Sequence, residues 1–237
     1  MSEREGQIQR AAKIVLSPIF RSLWRIHVTG AEMLPTTGPA ILCPNHVSVI
    51  DSFVLPMTLA RRITFVGKAE YLDSWKTRRL FPALGMIPID RSGGDAAQAA
   101  LDTAARVLEA DEFFGIYPEG TRSRDGVLHK GKTGPARLAV RTGAPIIPVG
   151  IVGTRELQPP DQSVPSPFRP VEVRFGEPID VGARCRGISD HLGLRTVTDE
   201  LMFEIASLSG QDYLNEYANK PTDDDRPSSA TVLTTAA

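Results

Sequence analysis

Short apolar runs alternate with helical stretches from residue 27 to about residue 176, and this alternation constrains the fold more than any other feature. Strands that alternate with helices predict an α/β fold. Its central sheet should be mixed and mostly parallel, with helices on its flanks. The predicted strands are 25–28, 40–43, 63–66, 86–89, 113–117, 146–151 and 171–175, and the predicted helices are 52–60, 75–80, 95–109, 135–141 and 196–208.

The 237 residues are enough for one sizeable domain. We predict that residues 27–215 form this domain, after an N-terminal amphipathic helical segment at 1–26. Residues 157–170 hold five prolines, which predicts a surface loop or flap. Residues 216–237 are polar and are predicted to be a disordered tail.

The N-terminal segment has an apolar helical face and a separate basic face. A basic amphipathic helix is suited to an anionic lipid interface, and the alternative is a helix docked on the core with its basic face in solvent. No apolar run approaches the roughly 18 residues needed to span a bilayer, so we expect a peripheral, monotopic protein. The predicted anchor residues are Arg10, Lys13, Ile19, Leu23 and Trp24.

The composition excludes some classes of protein. A formal net charge of −1 argues against nucleic-acid binding over the whole surface. The charged first residues do not resemble a secretory signal, and the two cysteines lack metal-ligand or redox spacing. We therefore expect no metal site and a location at the cytoplasmic face of the cell membrane.

The segment Asn45–Asp51 follows an apolar strand and precedes a helix, which is where sites in α/β proteins usually lie. Here His46 can accept a proton from an alcohol, and Asp51 can orient the imidazole and stabilise its cation. The alternative is a histidine that caps the helix and makes only local hydrogen bonds.

Two further segments place arginines just beyond predicted strands. In the segment 85–91 a short strand delivers Arg91 to its end, and an arginine fork is suited to phosphate. In the segment 117–123 a tight turn holds a carboxylate, a bare backbone and an arginine, so it can bind a polyol hydroxyl and a phosphate. The alternatives are a surface Asp-Arg pair and a solvated basic loop.

The segment 144–151 is apolar but contains two prolines, which predicts an edge strand or an interrupted strand. Such a strand could line an acyl groove at Pro148 and Val149, or it could be a simple core strand at the sheet edge. The segment 126–133 satisfies a phosphate-loop pattern, but it does not begin at the end of an apolar strand, so nucleotide hydrolysis is disfavoured. The Gly-x-Ser-x-Gly elbow of serine hydrolases is not present in the sequence.

The four segments in this order resemble the glycerolipid acyltransferase family, in which 1-acylglycerol-3-phosphate acyltransferases are well-known members. Its Asn-His-x-Ser-x-x-Asp motif is matched at 45–51, and its Phe-Pro-Glu-Gly-Thr-Arg-Ser motif is matched at 117–123 with Tyr117 in place of Phe. The apolar stretch that ends in Arg91 and the segment around Pro148 match the other two blocks. The resemblance covers about residues 27–180.

The resemblance implies direct acyl transfer from an acyl-CoA or an acyl-ACP to the free hydroxyl of lysophosphatidate, in phospholipid biosynthesis. It implies His46 as the base and Asp51 as its partner, without a cofactor. The acceptor and its phosphate would be bound by Arg91, Glu119, Gly120, Thr121 and Arg122. Alternatives are another acceptor, such as glycerol-3-phosphate, a lyso-ornithine lipid or another lysophospholipid, and a non-catalytic membrane-bound lipid-binding protein.

Overall fold

The computed structural model describes residues 17–18, 20, 22–68, 85–89, 96–160, 162, 164–184 and 190–218. The strands are β1 (Ile26–Thr29), β2 (Ala40–Pro44), β3 (Ile63–Lys68), β4 (Met86–Ile89), β5 (Phe113–Gly115), β6 (Leu128–His129), β7 (Ile146–Val152), β8 (Val171–Phe175) and β9 (Tyr213–Leu214). The helices are α1 (Asp51–Thr58), α2 (Ala96–Glu109), α3 (Gly134–Thr142), α4 (Thr154–Leu157), α5 (Val181–Arg184) and α6 (Asp190–Ser209), with a 3-10 turn at Ala31–Met33.

Seven strands form one sheet in the order β1-β8-β7-β2-β5-β3-β4. Neighbouring strands run parallel, except that β7 and β8 are antiparallel. Strands β6 and β9 pair in parallel in a second, two-stranded sheet. The predicted α/β fold with a mixed, mostly parallel sheet flanked by helices is confirmed.

Both faces of the sheet are buried. Successive side chains of a strand point to opposite sides, so one strand contributes to the cores on both faces. In β2, Ile41 and Cys43 pack with side chains of α2, α3 and α6 in one core cluster. The alternate residues Ala40 and Leu42 pack with α1 and Trp24 in the other cluster. The central strands therefore lie between two apolar core layers. The polar residues that follow the ends of these strands are available for a functional site.

Strand β7 is not at the sheet edge, so the prediction of an edge or interrupted strand at 144–151 is wrong. It lies between β2 and β8, and Pro148 pairs in register with Cys43. A proline removes only its own N–H from the ladder. The carbonyl of Pro148 still accepts the N–H of Gly176 at 2.9 Å, so the strand continues through it.

The described part of the N-terminal segment packs on the domain. Trp24 is 7% exposed, and its indole N–H donates to the carbonyl of Ser166 at 2.9 Å. Its predicted role as a membrane anchor is therefore corrected: the ring belongs to the core, because the indole finds both apolar neighbours and an acceptor there. Leu23 is only half-buried. Among the residues that the structure describes, no helix is long and apolar enough to cross a bilayer.

Several predictions fall outside the described residues. These are the anchor positions Arg10, Lys13 and Ile19, the helix at 75–80, and all but the first three residues of the predicted tail. The proposed division of the chain into segment, domain and tail stays a prediction. Within the proline-rich stretch, Leu157 ends α4, and the described residues after it form neither helix nor strand before β8.

Candidate active site

Two loops begin at the carboxyl ends of neighbouring strands and bring the first and third sequence motifs together. The chain passes from β2 into Asn45 and His46, and from β5 into Tyr117 and Glu119. Strands β2 and β5 are adjacent and parallel. Their carboxyl ends therefore lie side by side, which is where α/β sheets bind ligands.

The imidazole of His46 and the carboxylate of Asp51 form a hydrogen-bonded pair, with Nδ1 and Oδ2 separated by 3.0 Å. The same Oδ2 accepts the backbone N–H groups of Val47 at 2.9 Å and Ser48 at 2.8 Å. Asp51 is the first residue of α1 and is fully buried, whereas the side chain of His46 keeps 14% exposure. The loop thus folds around the carboxylate and leaves the imidazole accessible.

This geometry fixes the tautomer of His46. An ionised carboxylate can only accept hydrogen bonds, so Nδ1 of the neutral ring must carry the proton. Nε2 is then the basic nitrogen. Burial lowers the pKa of His46 below its usual 6.5, the hydrogen bond and charge of Asp51 oppose this shift, and the charge of Arg122 adds to it. The imidazole is therefore uncharged at pH 7, and its Nε2 can accept a proton.

Glu119 lies behind the loop that carries His46. It is 2% exposed, and its Oε2 accepts the backbone N–H of His129 in β6 at 3.0 Å. Burial raises the pKa of Glu119 to about 7, although the backbone N–H groups of His129 and His46 favour the charged form. The carboxylate is hydrogen-bonded to the backbone of β6 and is electrostatically coupled to the backbone of His46, and its predicted role in binding the acceptor stays a prediction.

Gly120, Thr121 and Arg122 continue the turn toward the surface. Gly120 has a φ of +74°, and a Cβ there would lie 2.8 Å from Nζ of Lys132, so only glycine fits without displacement. Thr121 and Arg122 are partly exposed. Arg122 is close enough to His46 for its charge to lower the imidazole pKa. The turn therefore places a cation beside the proposed base.

Asn45 joins the site to β7, a role that the sequence analysis did not assign. Its side chain donates to the carbonyl of Ile151 at 3.0 Å and accepts the N–H of the same residue at 2.7 Å. It also donates to the side chain of Gln211 at 2.7 Å. The amide thereby extends the β2–β7 pairing past the end of the strand. Its position directly before His46 in the motif was the available signal.

A stacked aromatic ring is the other feature that sequence reasoning missed. The rings of His46 and Tyr117 have centroids 3.7 Å apart and an interplanar angle of 14°. The hydroxyl of Tyr117 lies 2.8 Å from Oγ of Ser52. The only signal in the sequence was that Tyr117 stands where the resembled family has Phe.

Three predicted site residues are not assigned a role by this geometry. Pro148 and Val149 are buried within β7, so an acyl groove at these positions stays a prediction. Arg91 lies outside the described residues. The segment 126–133 contains β6, which is hydrogen-bonded to β9, and this extended geometry does not form a phosphate-loop cradle.

The chain is similar to known acyltransferases. The family model described as Acyltransferase matches residues 25–152. The chain is 31% identical over 137 residues to a 1-acyl-sn-glycerol-3-phosphate acyltransferase of Borreliella burgdorferi, covering 56% of this chain and 55% of that protein. It is 33% identical over 126 residues to the mouse 1-acyl-sn-glycerol-3-phosphate acyltransferase alpha, covering 53% of this chain and 44% of that protein.

The fold also matches a solved structure. The crystal structure of the 1-acyl-sn-glycerophosphate (LPA) acyltransferase PlsC from Thermotoga maritima superposes with a TM-score of 0.66 at 27% identity. The match covers 88% of this chain and 83% of that chain. By contrast, this chain spans about half the length of the two curated relatives above.

Proposed function

This chain belongs to the acyltransferase family, and on that basis we propose that it transfers a fatty acyl group from an acyl thioester to the free hydroxyl of lysophosphatidate, giving phosphatidate. The names of the similar proteins and of the similar solved structure support this acceptor. The observation that carries the proposal is the His46–Asp51 pair at the carboxyl edge of the sheet.

In the proposed reaction, Nε2 of His46 removes the proton from the acceptor hydroxyl while that oxygen attacks the thioester carbonyl. The tetrahedral intermediate collapses, the C–S bond breaks, and the thiolate leaves with the proton that His46 returns. Asp51 holds the tautomer that makes Nε2 basic and stabilises the imidazolium while it exists. Attack is direct, so no acyl-enzyme forms.

The acceptor phosphate would be held by Arg122, with Arg91 as its proposed second ligand and the turn at Gly120 and Thr121 alongside. The influence of Arg122 on the pKa of His46 supports this arrangement, because it brings a cation to the base. A phosphate bound there would place the glycerol hydroxyl of the same molecule near Nε2. Phosphate also matches the planar fork of a guanidinium group.

We further propose that the protein works at a membrane surface, from which it takes its lysolipid. An open apolar cleft of about 460 Å³ supports this, since it is lined by Pro18, Ser22, Leu23 and Phe168. Phe168 is 67% exposed. Together with the half-buried Leu23, it gives the cleft an exposed apolar surface, and such surfaces are typical of sites that meet another apolar phase.

The test is an acyl-transfer assay with purified protein. Labelled oleoyl-CoA and oleoyl-ACP are each offered with lysophosphatidate, glycerol-3-phosphate, a lyso-ornithine lipid and other lysophospholipids, and products are read by mass. We expect phosphatidate as the main product with at least one of the donors. Main product from another acceptor would replace lysophosphatidate in the proposal, and no product from any pair would refute acyl transfer.

A further inference from the structure

His46 is held from two directions by residues of the same helix. Asp51 engages Nδ1 directly, and the next residue, Ser52, hydrogen-bonds the hydroxyl of Tyr117, whose ring covers one face of the imidazole. The hydrogen bond to Asp51 fixes where Nδ1 points, but it permits the ring to tilt about the line joining the two groups. The stack with Tyr117 removes that freedom.

Tyr117 itself contacts a second aromatic ring. The ring of Phe65 in β3 stacks on it with centroids 5.7 Å apart and an interplanar angle of 25°. Phe65 fits there because Gly115 has no side chain: a Cβ at Gly115 would lie 2.1 Å from the Phe65 ring. Burial also raises the pKa of Tyr117 well above its usual 10, so its phenol stays protonated and keeps the Ser52 bond.

We propose that Tyr117 is a positioning residue for His46: its ring fixes the plane of the imidazole, and its bond to Ser52 fixes the ring. The inference rests on the proposed function, because it concerns the direction in which Nε2 meets the acceptor hydroxyl. A base must meet the proton it removes in hydrogen-bond geometry. Small misplacement of a catalytic group costs much of its rate advantage.

Three variants separate the ring from the hydroxyl. Tyr117→Leu removes the stack, Tyr117→Phe keeps the ring and removes the hydroxyl, and Ser52→Ala removes the partner of that hydroxyl. We expect Tyr117→Leu to lower kcat by about 10²-fold with both KM values nearly unchanged, since only the orientation of the base is lost. Tyr117→Phe and Ser52→Ala should each cost only a few-fold, and their effects should not add.

The pH profile gives a second readout that a merely structural role would not move. Burial is the largest cause of the lowered His46 pKa, and Tyr117 covers one face of the ring. In Tyr117→Leu the acidic limb of kcat/KM should therefore move upward, toward the ordinary value. Tyr117→Phe should leave that limb in place. Tyr217→Leu is the matched control, because Tyr217 is exposed.

A resonance measurement tests the positioning without turnover. The His46 Cε1–H proton signal, assigned with His46→Ala, should be shifted upfield by the Tyr117 ring current, and this shift should vanish in Tyr117→Leu. Ser52→Ala provides the same test in a protein whose aromatic core is intact, with a reduced shift expected. An unshifted His46 signal in the wild type, or unchanged kcat in a folded Tyr117→Leu, overturns the inference. A shifted signal in a protein without acyl transfer would instead refute the proposed function.

Discussion

The backbone N–H of Ser123 donates a hydrogen bond of 2.7 Å to the backbone carbonyl of His46. The backbone N–H of the same His46 faces the carboxylate of Glu119. The loop that carries the base is thus hydrogen-bonded through its C=O to the segment that carries Arg122, and its N–H is coupled electrostatically to the same segment. Substitutions in that segment should therefore change the position of His46 through the backbone, as well as its pKa through charge.

Replacing the base gives the first prediction. His46→Ala should lower kcat by about 10²–10⁴-fold, the usual cost of losing a general base, while the protein stays folded. The measurement is turnover with the best thioester and lysophosphatidate, with circular dichroism as the folding check. His27→Ala is the matched control, because His27 is an exposed histidine of β1. A His46→Ala protein that retains more than about a tenth of wild-type turnover would rule out this mechanism.

Asp51→Asn tests the orienting carboxylate. The asparagine oxygen can still accept hydrogen bonds, but it lacks the charge that stabilises the imidazolium, and its amide can face Nδ1 with a donor instead. We expect most of the activity to be lost. Asp51 raises the pKa of His46, so the acidic limb of any residual activity should move to lower pH. A limb that moves upward would show that the titrating group is not His46.

Arg122→Ala tests the phosphate assignment. Loss of a phosphate ligand should raise the apparent KM for the lysolipid more than the KM for the thioester. It should also raise the pKa of His46, because the charge of Arg122 lowers it. Arg106→Ala, at an exposed position of α2, is the control. Arg91→Ala should share the KM effect, and loss of thioester use alone in both variants would assign these arginines to the donor instead.

Glu119 predicts a dependence of stability on pH. Its folded pKa of about 7 lies above the ordinary 4.5, so the carboxyl group stabilises the fold fully below pH 4.5, and this contribution is lost as the pH rises through 7. The loss is on the order of 3 kcal/mol. The free energy of unfolding is measured with urea at pH 5 and pH 8. Between these pH values it should fall in the wild type by about that amount relative to Glu119→Gln. Equal differences at both pH values would contradict the raised pKa.

Local sequence patterns predicted the structure correctly where the residues that contact one another are close in the sequence. The seven strands of the main sheet were predicted because their apolar runs are continuous, and the His46–Asp51 pair was predicted because both groups lie on one short loop. The short strands β6 and β9 were not predicted. Helix α6 begins at Asp190, earlier than the predicted 196. Gly193 weakens the local helical signal, but it is buried, and Leu194 next to it packs against the core.

Long-range pairing explains what the sequence could not predict. The interior position of β7 depends on its neighbours β2 and β8, and no local rule places Pro148 opposite Cys43. Trp24 was predicted to be a membrane anchor because it lies close to the apolar face of the N-terminal segment. Its actual acceptor, Ser166, is far away in the sequence. The Tyr117–His46 stack likewise joins the ends of two different strands.

The last prediction concerns vesicle binding and follows from the burial of Trp24. Deletions that reach Trp24 would remove a core residue, so the membrane segment is better tested by substitutions. Arg10→Gln with Lys13→Gln should weaken binding to anionic vesicles by about 2 kcal/mol at low salt, since each basic residue contributes about 1 kcal/mol. Phe168→Asn should weaken it independently of salt, because burial of apolar surface is not screened.

Asparagine suits position 168 because Phe168 has a φ of +59°, a conformation that asparagine tolerates. Phe203→Asn is the matched control: Phe203 is also largely exposed, but it lies on α6, which packs on the opposite face of the sheet. Binding is measured by vesicle sedimentation at two salt concentrations. If Phe168→Asn binds as tightly as wild type while Phe203→Asn does not, the lipid-facing surface lies on the α6 side and the proposed orientation is wrong. If the wild-type protein does not bind anionic vesicles at either salt concentration, membrane attachment through the N-terminal segment is refuted.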